Sequence, residues 1–336
     1  MPRGRGLREQ LGSSLEQLGS AAGRYGRDAG RYTWDAATAP FDVGRALTHR
    51  IGAAPAAVRG LVTEAASLAT HVVFYPAGVR SSRSPAADRY SLARLAPLQR
   101  GLLIGHPDAA GMPILLVHGL IDNRSIFARL QRTLRRRGFS QVETLNLPLY
   151  ATDVPHAGLV LAAAVTELCA RTGYQQVHIV AHSLGGLVAR YYVQRLAGDE
   201  RVHTLVTLGT PHGGTRLAHL VPRVVPYRLV ASLRPGSPLL AELAGPAAGC
   251  RTRFVAIGGG LDSVVRPESA ALRHPDLHTL NVTVAGLGHH ALPFNGEVAH
   301  GIAAVLAELD APARWPGAKP VNPLAQRVLD RSDRVG

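Results

Sequence analysis

Residues 177–186 read Val-His-Ile-Val-Ala-His-Ser-Leu-Gly-Gly, a strand-like apolar run that passes through a serine into the helical stretch 184–196. A serine on such a strand-to-helix turn is held in strained backbone geometry, with its hydroxyl presented as a nucleophile at the carboxyl end of a sheet. The turn requires small residues two places before and two places after the serine, and Ala181 and Gly185 stand there. The strict pattern has glycine at the first place, so Ala181 departs from it by one methyl group. The N-terminus of the following helix adds positive potential where an oxyanion would form beside Ser183. A serine that only caps a helix needs none of this strand and small-residue context. Upstream, Ile114-Leu115-Leu116-Val117 runs into His118-Gly119-Leu120, a second strand that ends at the same edge. The amide of Leu120 can then face the same oxygen as the amide of Leu184, giving two fixed donors for a tetrahedral anion.

The elements that must position these groups alternate along the chain. Apolar runs of strand length and β-branched content lie at 114–117, 142–147, 177–181, 205–208, 254–257 and 280–284. Amphipathic stretches at 126–137, 159–171 and 184–196 fall between them. This order predicts an α/β fold, a mostly parallel central sheet with helices on both faces, over residues 96–310. The segment 216–250 breaks the alternation with Pro222, Pro226, Pro235, Pro238 and Pro246 and is too long for an ordinary connection, so it is expected to be a cap or lid insertion or a static surface excursion. Residues 1–95 read as a helical N-terminal extension, with Leu7, Leu11, Leu15 and Leu18 at helical spacing and a linker-like Ser81-Ser82-Arg83-Ser84-Pro85. Residues 311–336 are polar and proline-containing, as in a flexible tail.

Three motifs taken together resemble bacterial lipases of the α/β-hydrolase superfamily: His118-Gly119-Leu120, Ala181-His182-Ser183-Leu184-Gly185-Gly186, and Gly209-Thr210-Pro211-His212-Gly213-Gly214-Thr215. The resemblance covers roughly residues 110–308 and leaves 1–95 outside. It implies a triad in the chain order serine, acid, histidine. After Ser183 the acidic residues include Asp199, Glu200, Asp262, Glu268 and Asp276. Asp262 follows the strand at 254–257 and Gly258-Gly259-Gly260, which places it at the carboxyl edge beside the serine. Asp199 and Glu200 fall at the opposite edge, and Asp276 precedes the last strand. Asp262-Ser263-Val264-Val265 also resembles the acid turn of these lipases. The loop after the last strand carries both His289 and His290; the family's Gly-His pattern maps to Gly288-His289. His182 and His212 come too early in the chain for the base and are expected to pack or make polar contacts around the pocket.

Composition narrows the alternatives. The 336-residue chain is 46% apolar and 18% charged, enough apolar material for a large core, so wholesale disorder is excluded. Its net charge of +14 is carried almost wholly by arginine, since Lys319 is the only lysine. The arginines are dispersed, the densest cluster is Arg135-Arg136-Arg137, and aromatics are 5%, which argues for a solvated surface rather than a nucleic-acid groove. Cys169 and Cys250 match neither a disulfide framework nor zinc spacing. Gly258-Gly259-Gly260 lacks the Lys-Ser/Thr of a phosphate loop. No cofactor or catalytic metal is therefore expected. Residues 1–20 are basic without an apolar signal core, and the apolar stretch 61–79 is interrupted by Glu64, His71 and Pro76, so a cytoplasmic location, with possible peripheral membrane contact, is expected.

The sequence reading is a serine carboxylic-ester hydrolase acting on lipid or small esters, with Ser183 as nucleophile, His289 as base, Asp262 as its carboxylate, and Leu120 and Leu184 as oxyanion donors. Its rivals are an acyltransferase or thioesterase using the same residues, and a non-catalytic protein of the membrane surface.

Overall fold

A computed structural model describes residues 107–120, 122–147, 153–219, 227–309 and 315–316. The extension expected over 1–95, the apolar stretch 61–79 and nearly all of the tail 311–336 lie outside these residues.

Six strands form the sheet: β1 (Ile114–Val117), β2 (Val142–Leu145), β3 (Val177–His182), β4 (Val202–Leu208), β5 (Arg253–Gly259) and β6 (His278–Val284). The helices in chain order are α1 (Pro107–Gly111), α2 (Ala128–Arg137), α3 (Val154–Thr172), α4 (Leu184–Arg195), α5 (Tyr227–Ser232), α6 (Pro238–Ala244), α7 (Pro267–Ala270) and α8 (Gly296–Ala307). Every neighbouring pair of strands is parallel, in the order β2-β1-β3-β4-β5-β6. Parallel pairing follows from helical crossovers between successive strands.

Burial on both faces follows from the alternation of strand side chains. Leu115, Val117, Ile179 and Ala181 point to one face and pack with Leu161, Val165 and Leu168 of α3 and Leu187 and Val188 of α4. Ile114, Leu116 and Val180 point to the other and pack with Leu130 and Leu134 of α2 and Ile302 and Leu306 of α8. The strands differ from the sequence expectation mainly at their ends. β4 begins at Val202 rather than 205, because Val202 pairs with Val177 and Thr204 with His178, His203 falling at the register shift between them. β5 continues through Gly258 and Gly259. The expected helix at 126–137 is split into a 3₁₀ turn, Arg124–Phe127, and α2.

The strand order reverses direction between β1 and β3, since the chain first moves outward to β2 and then returns across β1. Such a switch point opens a crevice at the carboxyl ends of the two strands. Val117 pairs with Ala181 in register, so His118-Gly119 and His182-Ser183 leave the sheet side by side.

The described part of the 216–250 segment is packed down. Leu229, Val230, Leu233, Leu239, Leu240 and Leu243 join the core on the α3/α4 face. Arg190 and Gln194 of α4 donate to the Leu243 carbonyl at 2.8 and 3.2 Å. The Thr215 amide donates to Leu233 O at 2.7 Å. Residues 220–226 lie outside the described residues.

Candidate active site

Ser183 sits between β3 and α4 with φ 52° and ψ −125°, one of two non-glycine residues with positive φ among the described residues. This is the strained turn that the small-residue pattern foretells. A methyl built on Gly185 would run into the carbonyls of His118 and Val117, 2.7 Å from the latter, so the start of α4 lies against the end of β1. Ala181 is fully buried in the core and its methyl is accommodated there, which explains why the departure from glycine is tolerated. The strand and helix are buried around the turn, whereas Ser183 itself is only half-buried.

The structure brings Ser183, His289 and Asp262 into one hydrogen-bonded line. His289 Nε2 lies 3.0 Å from Ser183 Oγ, and His289 Nδ1 lies 2.8 Å from Asp262 Oδ2. The other carboxylate oxygen, Oδ1, accepts from the amides of Val264 at 2.9 Å and Val265 at 2.7 Å. Two of the four acceptor positions of the carboxylate are thereby held by backbone, which fixes its plane. With Asp262 ionised, Nδ1 of His289 carries the proton and Nε2 is free to accept from the serine. Burial lowers the pKa of His289 below its ordinary value; the hydrogen bond to Asp262 opposes that shift.

The loops that carry Asp262 and His289 are joined by backbone. Gly260 N donates to Val284 O at 2.8 Å, and Leu261 N donates to Leu287 O at 2.9 Å. Gly209, at φ +55°, passes beneath the pair; a methyl there would lie 2.9 Å from His289 Nδ1 and 3.3 Å from Asp262 Oδ2. The other acids lie elsewhere. Asp199 and Glu200 occupy the 3₁₀ turn that leads into β4, at the opposite edge, and Asp276 binds the Ala247 amide at 2.8 Å. Glu268 is exposed on α7. His290 stands edge-on to His289, 5.2 Å between ring centres, while His289 is the ring that meets Ser183.

Leu184 is the first residue of α4, so its N–H has no carbonyl partner within the helix. Leu120 follows Gly119, whose added methyl would lie 3.0 Å from Ser183 Cβ. Both residues therefore flank the serine. His118 braces this loop, with Nε2 accepting from the Leu147 amide at 3.0 Å and Nδ1 donating to Gly119 O at 2.8 Å. His212 is buried with Nε2 3.0 Å from Thr207 Oγ1. His182 is fully buried and does more than pack: its Nδ1 lies 2.9 Å from Asp122 Oδ2 and its Nε2 lies 3.3 Å from the His289 carbonyl. Asp122 was not marked by the motifs, though it stands four residues after His118 on the loop that leaves the sheet beside the serine. Among the described residues no cluster of three or more His, Cys, Asp or Glu is arranged to hold a metal.

Residues 112–229 match the α/β hydrolase fold family. The chain has the α/β-hydrolase fold. It is 33% identical over 126 residues to a triacylglycerol lipase of Pseudarthrobacter phenanthrenivorans, a match that covers 35% of this chain and 38% of that one. A triacylglycerol lipase of Burkholderia plantarii is likewise 33% identical over 126 residues, covering 35% and 34%. The chain thus spans well under half the length of these curated relatives. Among solved structures, mature Bacillus licheniformis lipase BlEst2 superposes with a TM-score of 0.50 at 20% identity, over 60% of this chain and 94% of that one. Aspergillus fumigatus lipase B gives a TM-score of 0.50 at 16% identity, over 69% and 64%. These likenesses agree with the α/β-hydrolase and lipase resemblance read from the motifs.

Proposed function

We propose that this α/β-hydrolase is a serine esterase of the lipase kind, working through an acyl-enzyme. The observation that carries the reading is the continuous line from Ser183 Oγ through His289 to the backbone-braced Asp262. In the first step Ser183 Oγ attacks the ester carbonyl while His289 Nε2 takes the hydroxyl proton. The carbonyl oxygen becomes an anion in front of the Leu120 and Leu184 amides; the loss of one such donor typically costs about 2.7–4 kcal/mol of barrier. Collapse breaks the ester C–O bond, and the imidazolium gives its proton to the leaving alcohol. Water then repeats the sequence on the acyl-enzyme, with His289 as base, and releases the acid. Asp262 holds the tautomer and offsets the transient imidazolium charge.

Lipid esters are the proposed substrates. The relatives' names support this, and so do three exposed large apolar side chains, Leu159, Leu217 and Leu261. Leu159 lies near the start of α3, and Leu217 and Leu261 lie on the segments that follow β4 and β5, so all three belong to the carboxyl side of the sheet, where Ser183 opens. The test is turnover of p-nitrophenyl esters of increasing chain length by the full chain and by Ser183→Ala. The variant is expected to lose about four orders of magnitude or more in kcat with its melting temperature retained. Equal turnover by both proteins would refute the assignment.

A further inference from the structure

One buried carboxylate–imidazole couple takes no part in that mechanism. Asp122 lies on the loop after β1, and His182 is the last residue of β3, with side-chain exposures of 6% and 0%. Placing an ionisable pair in an apolar setting costs free energy unless both members are well bonded, so such a pair next to reacting groups invites a functional account.

The contacts of His182 join three separate loops. Nδ1 reaches Asp122 Oδ2 on the loop that carries Gly119 and Leu120, and Nε2 reaches the backbone carbonyl of His289 on the loop that carries the base. The ring itself is bonded in sequence to Ser183. The alternation of β3 explains its direction: Ala181 points to the α3/α4 face, so His182 points to the α2/α8 face, toward the other two loops. Both partners of the ring are acceptors, and Nδ1 faces the Asp122 carboxylate. That carboxylate also seats the oxyanion loop, because a methyl on Gly119 would lie 2.9 Å from Asp122 Oδ2 and 3.0 Å from Ser183 Cβ. Asn123, the next residue, caps the 3₁₀ turn Arg124–Phe127 by accepting from the Ser125 amide at 2.9 Å, which anchors the loop from its far side.

We propose that Asp122 and His182 are positioning residues: a second carboxylate–imidazole couple, behind the first, that holds the oxyanion loop and the backbone of the base in register with Ser183. This rests on the serine-esterase reading. The couple touches no reacting atom and acts through His289 and through Gly119-Leu120. Displacing either by a fraction of an ångström lengthens the Ser183–His289 contact or withdraws an oxyanion donor, so the loss falls on the chemical step rather than on substrate binding.

Two isosteric variants separate the two ties. In His182→Asn the side-chain amide can replace Nδ1 and keep Asp122, but nothing reaches the His289 carbonyl. In His182→Gln the amide can replace Nε2 and keep that carbonyl, but Asp122 is left. A third variant, Asp122→Asn, keeps the shape and removes the charge. Each is compared with the full-length chain by steady-state kinetics on a soluble p-nitrophenyl ester, by melting temperature, and by active-site titration with a diethyl p-nitrophenyl phosphate. The expected result is a fall in kcat of about tenfold to 100-fold in folded protein, with KM changed less than about threefold. The pH profile supplies a readout that a purely structural role would not move. The groups facing His289 are Asp262, Ser183, His290 at 5.2 Å and His182 at 4.8 Å between ring centres. His182 is one of the groups that hold the pKa of His289 down, so the acid limb of kcat/KM is expected to move to higher pH in both His182 variants. Wild-type kcat together with an unmoved acid limb in folded His182 variants would overturn the proposal, as would a loss confined to KM. If His182 variants do not fold, Asp122→Asn decides on kcat alone. Failure of the parent reading looks different: the unaltered chain would then neither turn over esters nor titrate with the phosphate.

Discussion

Replacing Asp262 with Asn tests the hydrogen-bond logic of the site at a single atom. In the native chain Oδ1 accepts two backbone N–H groups, from Val264 at 2.9 Å and Val265 at 2.7 Å, while Oδ2 accepts from His289 Nδ1 at 2.8 Å. An Asn side chain has one acceptor and one donor end. Two converging amide donors can be met only by its oxygen, so its NH₂ must turn toward His289. Nδ1 then becomes an acceptor, and the ring proton moves to Nε2, where it points at Ser183 Oγ. In that tautomer the ring cannot take the serine proton. The expected loss in kcat is about 10⁴-fold, which corresponds to about 5.4 kcal/mol of barrier at 1.36 kcal/mol per decade. The fold should lose little, because the two backbone donors keep a neutral acceptor in place of a charged one, a difference of about 1–2 kcal/mol. The assay is initial-rate hydrolysis of a soluble p-nitrophenyl ester between pH 6 and 9, with thermal melting as the control. A folded Asp262→Asn protein that retains more than a tenth of native kcat would refute the placement of the proton, and with it the role given to Asp262.

Further expectations concern the surroundings of this line. Gly209→Ala adds a methyl 2.9 Å from His289 Nδ1 at a residue with φ +55°, so it should cost about 1 kcal/mol from backbone strain and lower kcat by pushing the His289–Asp262 pair; unchanged kinetics would contradict the close approach. Because burial lowers the pKa of His289, the neutral base persists to lower pH, and the acid limb of log kcat/KM should have its midpoint below about 6.5; a midpoint above that value would contradict the balance of burial over the Asp262 hydrogen bond. His178 is fully buried with neither ring nitrogen hydrogen-bonded, and burial lowers its pKa well below the usual value, with His203 and Arg253 adding to the shift. At pH above about 6.5 neither folded nor unfolded chain protonates this ring; below it the unfolded chain binds a proton that the folded chain does not, so stability falls by about 1.4 kcal/mol per pH unit until the folded pKa is reached. His178→Leu should therefore melt at least as high as the native chain at pH 7.5 and lose less stability between pH 6.5 and 5; an unchanged acid slope would show that His178 does not contribute.

Ser183, Asp262 and His289 were legible in the sequence because each stands directly after a strand of a parallel sheet, and parallel strands deliver all such residues to one edge. The same rule set aside Asp199, Glu200 and Asp276, which the structure places before strands or in turns at the other edge. Between His289 and His290 strand order alone does not choose, because the answer depends on which ring the loop turns inward. Asp122 escaped notice for a related reason. A carboxylate in a loop carries no pattern, and its partner His182 reads as part of the elbow until the alternation of β3 is followed to its last residue. Strand ends were displaced by up to three residues where Val202 and polar Thr204 or flexible Gly258 and Gly259 join the ladder through backbone pairing, to which side-chain hydrophobicity is blind. The proline-rich segment 216–250 was visible as an interruption. That α6 is tied to α4 through the Leu243 carbonyl was not, since the bond depends on the buried guanidinium of Arg190, whose pKa burial lowers to about 10.

The central claim is that Ser183 is the acylated nucleophile. Incubating the full-length chain with a diethyl p-nitrophenyl phosphate and mapping the adduct by peptide mass spectrometry tests it most directly. One diethylphosphoryl group per chain, on the peptide that contains Ser183 and absent from Ser183→Ala, with ester hydrolysis lost in step with labelling, is the predicted result. An adduct on another residue, or full labelling that leaves hydrolysis intact, would contradict it.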